Sequence, residues 1–125
     1  MSSRHKAVKH RWRDYRTAAG RRPVKEFIDE LPDDHAAAVA AAMKDVSLEG
    51  LSVARHLRGD IYEVRADAES QTYRILFAQE GKKGRIFLSL EAFSKKAKKT
   101  PDRLLKLAER RLADWQSRAT GRAQR

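Results

Sequence analysis

The stretch from Ile61 to Pro101 leaves this chain the fewest possible folds. Three short apolar runs lie in it, Ile61–Ala66, Thr72–Ala78 and Arg85–Ala92. Polar turn material separates them, first Asp67–Gln71 and then Glu80–Gly84 with its two glycines. Alternation of period two with this spacing predicts an antiparallel meander. Successive strand side chains point to opposite sides of a sheet. Tyr62, Val64 and Ala66 therefore share one face of the first strand, and Tyr73, Ile75 and Phe77 one face of the second. In the third run Ile86, Leu88, Leu90 and Ala92 alternate with Arg85, Phe87, Ser89, Glu91 and Phe93. The expectation is one apolar face on a core and an opposite face carrying Arg65, Arg74 and Phe93, suited to something anionic.

Charge points the same way. Against 17 acids the chain carries 28 lysines and arginines, a formal net charge of +11 in 125 residues. An excess that large on one small domain favours a polyanionic partner, nucleic acid first and an anionic membrane surface second. No apolar run approaches the ~20 residues of a membrane span, and the basic N-terminus lacks the apolar core of a secretory signal. Without cysteine there are no disulfides or thiolate metal sites, which fits a cytoplasmic protein.

Around the meander the chain reads as a single domain over residues 1–125, with basic tails at 1–9 and 117–125 expected to be flexible. His10–Arg16, anchored by Trp12 and Tyr15, reads as a short edge strand, and Ala18–Arg22 as a loop around Gly20. Pro23 opens a helix at the position where proline is tolerated. Val24, Phe27, Ile28 and Leu31 follow at helical spacing. Pro32 ends it, and Asp33 or Asp34 is placed to cap a second, alanine-rich helix with Val39, Met43 and Val46 on one side. Glu49–Asp60 reads as a loop. Thr100, Pro101 and Asp102 signal a last helix, with Leu104, Leu105, Ala108, Leu112 and Trp115 as its buried stripe. The fold class is α+β, a small antiparallel sheet with an N-terminal αα-hairpin and a C-terminal helix, in the order β-α-α-β-β-β-α.

Candidate sites divide into weak and strong. The histidines His5, His10, His35 and His56 are scattered, and none pairs with another at ligand spacing. Asp33-Asp34-His35 sits at a helix start, where acids serve the helix end. The run Lys95, Lys96, Lys98 and Lys99 directly follows a strand and stands beside Phe93. An aromatic among cations suits single-stranded RNA, with a base on the ring and lysines on phosphates. For Arg65 and Arg74 two readings stand. Glu63 and Glu91 could neutralise them as cross-strand pairs, or the converging cations could form an anion site, which their number favours.

Leu57–Arg65 reads L-x-G-x-I-Y-E-V-R, Thr72–Phe77 reads T-Y-R-I-L-F, and Leu90–Pro101 reads L-E-A-F-S-K-K-x-K-K-T-P. Together with Arg22-Pro23-Val24 and the E-L-P at Glu30–Pro32, these resemble the HigB-type branch of the RelE/ParE toxin superfamily, including its phage-derived members. The resemblance spans about residues 10 to 116. It implies a RelE-like fold and the toxin of a type II toxin–antitoxin system, a ribosome-dependent endoribonuclease that cuts mRNA without metal or other cofactor. By position Arg74 would hold the scissile phosphate with Arg65, and Lys95 and Lys96 would be the late basic catalytic groups. Phe93, His56, Arg58, Lys98 and Lys99 would contact RNA, with His56 a reserve for proton transfer and Glu91 an alternative base. The implied partners are the ribosome, mRNA and a cognate antitoxin of helix-turn-helix type. Competing readings are a ParE-like toxin that acts on DNA gyrase without cutting RNA, and a basic nucleic-acid-binding module with no toxicity.

Overall fold

The computed structural model describes residues 10–94 and 99–123, with side chains to residue 119. The elements are β1 (Arg11–Asp14), α1 (Pro23–Asp29), α2 (Asp33–Glu49), β2 (Arg55–Arg58), β3 (Ile61–Ala68), β4 (Gln71–Glu80), β5 (Ile86–Ser94) and α3 (Asp102–Ala123). One five-stranded sheet runs in the order β1-β5-β4-β3-β2. The expected meander is its centre, with antiparallel pairs β3–β4 and β4–β5. The expected N-terminal edge strand is present as β1, and it joins β5 in parallel.

Three differences from the sequence reading have physical causes. The segment read as a loop, Glu49–Asp60, contains a 3-10 turn at Gly50–Val53 and the strand β2, antiparallel to β3. Arg55-His56-Leu57-Arg58 has no apolar alternation because β2 is an edge strand with no fully buried side chain. Regular alternation also fails in β5. Leu76 faces Glu91 but Phe77 faces Ser89, so Leu90 is an extra residue, a bulge. Phe87 and Ala92 consequently pack on one side of the sheet while Leu88 and Leu90 pack on the other. Finally, neither face is bare. Val64, Ala66, Ile75 and Phe77 pack under α1 and α2 with Val24, Val39 and Val46. Ile61, Leu76, Ala78, Leu88 and Leu90 pack under α3 with Leu104, Ala108 and Leu112. Each fully buried leucine favours that covering by about 1.5–3 kcal/mol, more than an exposed ion pair supplies. The arginines are left only the end of that face beside the start of α3.

The helix ends also depart from expectation. Neither Asp33 nor Asp34 caps α2 through its side chain; both lie within the first turn, where their charge suits the helix dipole. Residues 117–123, expected as a flexible tail, continue α3. Within that last part Arg118 pairs with Asp114 one turn earlier and donates to the Arg16 carbonyl. Among the described residues no helix is long and apolar enough to cross a membrane.

Both faces are pinned to β1. On the hairpin side Trp12 Nε1 donates to the Met43 carbonyl at 2.7 Å. On the α3 side the buried Tyr15 hydroxyl donates to Asp114 Oδ2 at 2.6 Å, with Arg111 and Arg118 over its ring. The Tyr15 bond, followed by Arg118, holds the Asp114 carboxyl below its ordinary 3.8. A depressed carboxyl stabilises the fold above its unfolded value, and that contribution disappears as pH falls through the folded one. Between about pH 5 and pH 3, the thermal midpoint of the wild type should therefore fall more steeply than that of Asp114→Asn. Parallel curves from differential scanning fluorimetry would show that Asp114 does not tie α3 to β1.

Candidate functional site

Cross-strand register brings together residues far apart in sequence. Arg65 on β3 lies directly opposite Arg74 on β4, and Arg74 directly opposite Phe93 on β5. Directly opposed residues share a face, so the three form a row across the sheet on the α3 side. A cleft of about 370 Å³ adjoins the row, lined by Ser52, Val53, Ala54, Arg55, Glu63, Arg65 and Arg74. Val53, 49% exposed, gives it an apolar lip.

Arg74 is the fixed point of the row. Its residue is only 5% exposed, and Nη1 donates to Glu63 Oε1 at 2.9 Å. Glu63, 3% exposed, accepts the Thr100 hydroxyl on its other oxygen at 2.7 Å. Thr100, expected as a helix cap, thus spends its hydroxyl on a buried carboxylate and fixes the segment entering α3 to the centre of the sheet. Arg65 is exposed, and its pair with Asp67 at 3.3 Å is a surface contact of little energy. Thr72 first, then Arg65, hold the Asp67 carboxyl below its usual range. Glu91 does not neutralise the row, because Arg111 Nη1 takes its Oε1 at 3.2 Å. The same guanidinium nitrogen donates to the Leu90 carbonyl at 2.7 Å, within the β5 bulge. Of the two possible neutralising pairs only Arg74–Glu63 forms. Three arginines and one fully engaged carboxylate line the cleft, a balance that attracts anions.

The other candidates separate from this row. His56 is opposite Tyr62 and therefore on the hairpin face; its ring packs on Tyr62 and its Nε2 meets the Gly59 carbonyl at 2.8 Å. Arg58 is on the row's face but is held by Asp102 at 2.7 Å and Glu109 at 2.9 Å. These contacts raise its pKa, Glu109 first, and Arg58 in turn is the main cause that lowers that of Asp102. Lys95, Lys96 and Lys98 lie outside the described residues; Lys99 is exposed beside the buried Thr100. On the hairpin face Asp34, His35 and Glu69 bring ligand atoms within 4.8 Å of one another. His35 already uses both ring nitrogens, on the Tyr73 hydroxyl and on Glu69, each at 2.6 Å. The histidine of that trio is satisfied as it stands, and the trio does not adjoin the arginine cleft.

Arg55 and the Glu63–Thr100 link were not picked out from sequence, and Val53, which reads from sequence as tucked inward with Leu51 and Leu57, is instead exposed. Arg55 follows the 3-10 turn in a segment with no periodic signal. The link did leave a trace, since an arginine inside the apolar T-Y-R-I-L-F run must be paired if it is buried.

Removing one partner of a buried ion pair leaves the other charge uncompensated, at a cost of about 3–5 kcal/mol, whereas apolar replacement of both is often near neutral. Glu63→Leu alone should therefore lower the urea midpoint strongly, and adding Arg74→Met should recover much of the loss. A double variant as unstable as the sum of its singles would show that the pair is not coupled.

The chain matches the family described as phage derived protein Gp49-like (DUF891) over residues 26–113. It is 34% identical over 108 residues to the probable endoribonuclease HigB1 of Mycobacterium tuberculosis strain CDC 1551 / Oshkosh, covering 83% of each chain. The protein of the same name in strain ATCC 25618 / H37Rv matches equally. The matched span runs from α1 into α3 and contains the whole arginine row, and the chain belongs to this Gp49-like family of HigB/RelE-type toxins.

Proposed function

We propose that the protein is the toxin of a type II toxin–antitoxin pair, a cytoplasmic endoribonuclease that cuts mRNA on the ribosome. The observation that carries this reading is the row of Arg65, Arg74 and Phe93 beside a cleft with surplus cations. Similarity to a probable endoribonuclease supports RNA as the substrate.

RNA brings its own nucleophile, so the reaction needs no metal-activated water. The ribose 2′-oxygen attacks the adjacent phosphorus as its proton passes to a base. The bond from phosphorus to the 5′-oxygen breaks, and an acid protonates the leaving oxygen. The products are a 2′,3′-cyclic phosphate and a free 5′-hydroxyl. Negative charge builds on the phosphoryl oxygens in between, and preorganised cations lower that barrier. Arg74, held by Glu63, is the fixed cation, and Arg65 the mobile one. Arg55 extends the positive lining towards the neighbouring phosphate. Phe93 offers a ring for base stacking.

Lys95 and Lys96 are assigned the late catalytic roles. Phe93 precedes them next to Arg74 and Thr100 follows them on Glu63, so both flanks of the lysine segment adjoin residues that line the cleft. Nearby cations lower a lysine pKa and bring it closer to use as a base at neutral pH. Lys98 and Lys99 continue the cationic track for the RNA backbone, with Arg58 at its border. The partners are the ribosome, mRNA and a cognate antitoxin of helix-turn-helix type.

The test is primer extension on a translated reporter message after brief induction. Wild type should give discrete cuts that vanish when the message is untranslated. Arg65→Ala, an exposed change, should reduce cutting by roughly 10²–10³-fold with an unchanged circular dichroism spectrum. Arg74→Lys should do the same. Intact message with growth arrest would replace this reading with a gyrase-directed toxin. Intact message without arrest would leave a nucleic-acid-binding module.

A further inference from the structure

The free edge of β1 carries a second concentration of charge. β1 ends the sheet, and the Arg11 and Tyr15 N–H groups go to the carbonyls of Arg85 and Ser89 on the β5 side. Strand geometry then turns the N–H and C=O of Trp12 and Asp14 outward. The N–H of His10, of the same parity, is taken by the Ser47 carbonyl. Among the described residues nothing pairs with the edge at Trp12 and Asp14. A cavity of about 590 Å³ flanks it, with Arg13, Arg16, Arg22 and Arg118 in its wall and Trp115 beside them. A second, of about 360 Å³, is lined by Arg11, Arg13, Lys82 and Arg85 with Trp12 and Ile86, and by no acid. Arg22 and Arg118 have acidic partners. Arg11, Arg13, Arg16, Lys82 and Arg85 are exposed and have no ion pair among the described residues.

Cations on a free edge also discourage aggregation, but a single inward or edge charge serves that purpose. Five unpaired cations around two cavities exceed it. Charge alone would equally suit RNA. The backbone groups at Trp12 and Asp14 decide between the two, because only another extended polypeptide offers donors and acceptors at the matching spacing. Asp14 also lines the first cavity, its carboxylate engaged by Arg22 and Ser89.

We propose that the β1 edge takes an extended, acidic segment of a partner protein as a sixth strand. Main-chain bonds to Trp12 and Asp14 would fix its register, and Arg11, Arg13, Arg16, Lys82 and Arg85 would receive its carboxylates. This rests on the reading that the chain has a neutralising protein partner, but not on the cleavage chemistry.

The probe is a fluorescein-labelled peptide of alternating glutamate and threonine, read by anisotropy with the full chain. It should bind saturably. The charge reversal Arg13→Glu with Arg85→Glu should weaken binding by at least about tenfold. A peptide of the same sequence, N-methylated at alternate residues, should bind as weakly as the charge-reversed variant allows. Equal affinity for the methylated peptide would overturn strand pairing. Equal affinity of the charge-reversed variant would overturn the location. A uridine decamer that displaces the peptide and loses affinity through the same two substitutions would make the edge a nucleic-acid surface instead. Peptide binding needs no nuclease activity, so its failure beside intact message cleavage, or the reverse, assigns the fault to one reading alone.

Discussion

A carboxylate buried at the centre of the sheet holds the candidate site together. Glu63 is only 3% exposed and would be costly to bury if unpaired. Its two oxygens are both occupied, one by Arg74 and the other by Thr100. The three residues come from β3, β4 and the segment entering α3. One carboxylate thus ties two central strands to the chain that returns from the lysine run. A buried pair of this kind contributes little net stability compared with apolar packing. What it does contribute is geometry, since Arg74 cannot swing away from its place opposite Phe93 without exposing an unpaired acid. Arg65, one strand away and exposed, has no such restraint.

The covering of the sheet explains why the cations converge where they do. Both faces carry buried aliphatic and aromatic side chains, and each is closed by helix. The open parts of a sheet so covered are its two edges and the end of the face beyond a helix terminus. Arg55, Arg65 and Arg74 occupy that end, and Arg11, Arg13 and Arg16 follow the β1 edge. Six of the described arginines thus lie at places that helix packing left uncovered.

Much of this was legible in the residues. The alternation in Ile61–Ala66 and Thr72–Ala78, the proline-initiated helix and the stripe Leu104, Leu105, Ala108, Leu112 and Trp115 all appear in the structure. Arg65, Arg74 and Phe93 were read onto one face and are found there in register. What failed to show has a local cause. β2 lacks apolar alternation because it is a charged edge, and strict alternation in β5 hid the Leu90 bulge. That bulge is what allows Leu88 and Phe93 to face the same side although their spacing is odd. His56 was read near the site because it precedes the meander. Its pairing opposite Tyr62 puts His56 on the hairpin face, and a register shift after it puts Arg58 on the site's face. Neighbourhood in sequence says little about side when strands pair through a bulge. Thr100 was read as a helix cap because its chemistry suits one. Its actual partner lies 37 residues away, a distance no local pattern carries.

The two cationic surfaces are separated by the sheet itself. β1 and β4 are two strand spacings apart, roughly 10 Å, and β1 and β2 roughly 19 Å. An added strand at β1 would lie on the far side from the cleft between β2 and β4, so its backbone would not cover Arg65 or Arg74. Neutralising the β1 cations with an acidic partner would do little to the cleft at physiological salt: the Debye length of about 8 Å is shorter than the three and four strand spacings from β1 to Arg65 and Arg55, so such charges are largely screened from one another. Steric closure of the cleft would need a further part of that partner to pass over the end of α3. There Arg58 and Lys106 with Asp102 and Glu109 already form a balanced surface, so contact would depend on shape and apolar area. Val53, exposed at the lip, is the large apolar side chain the cleft presents for it.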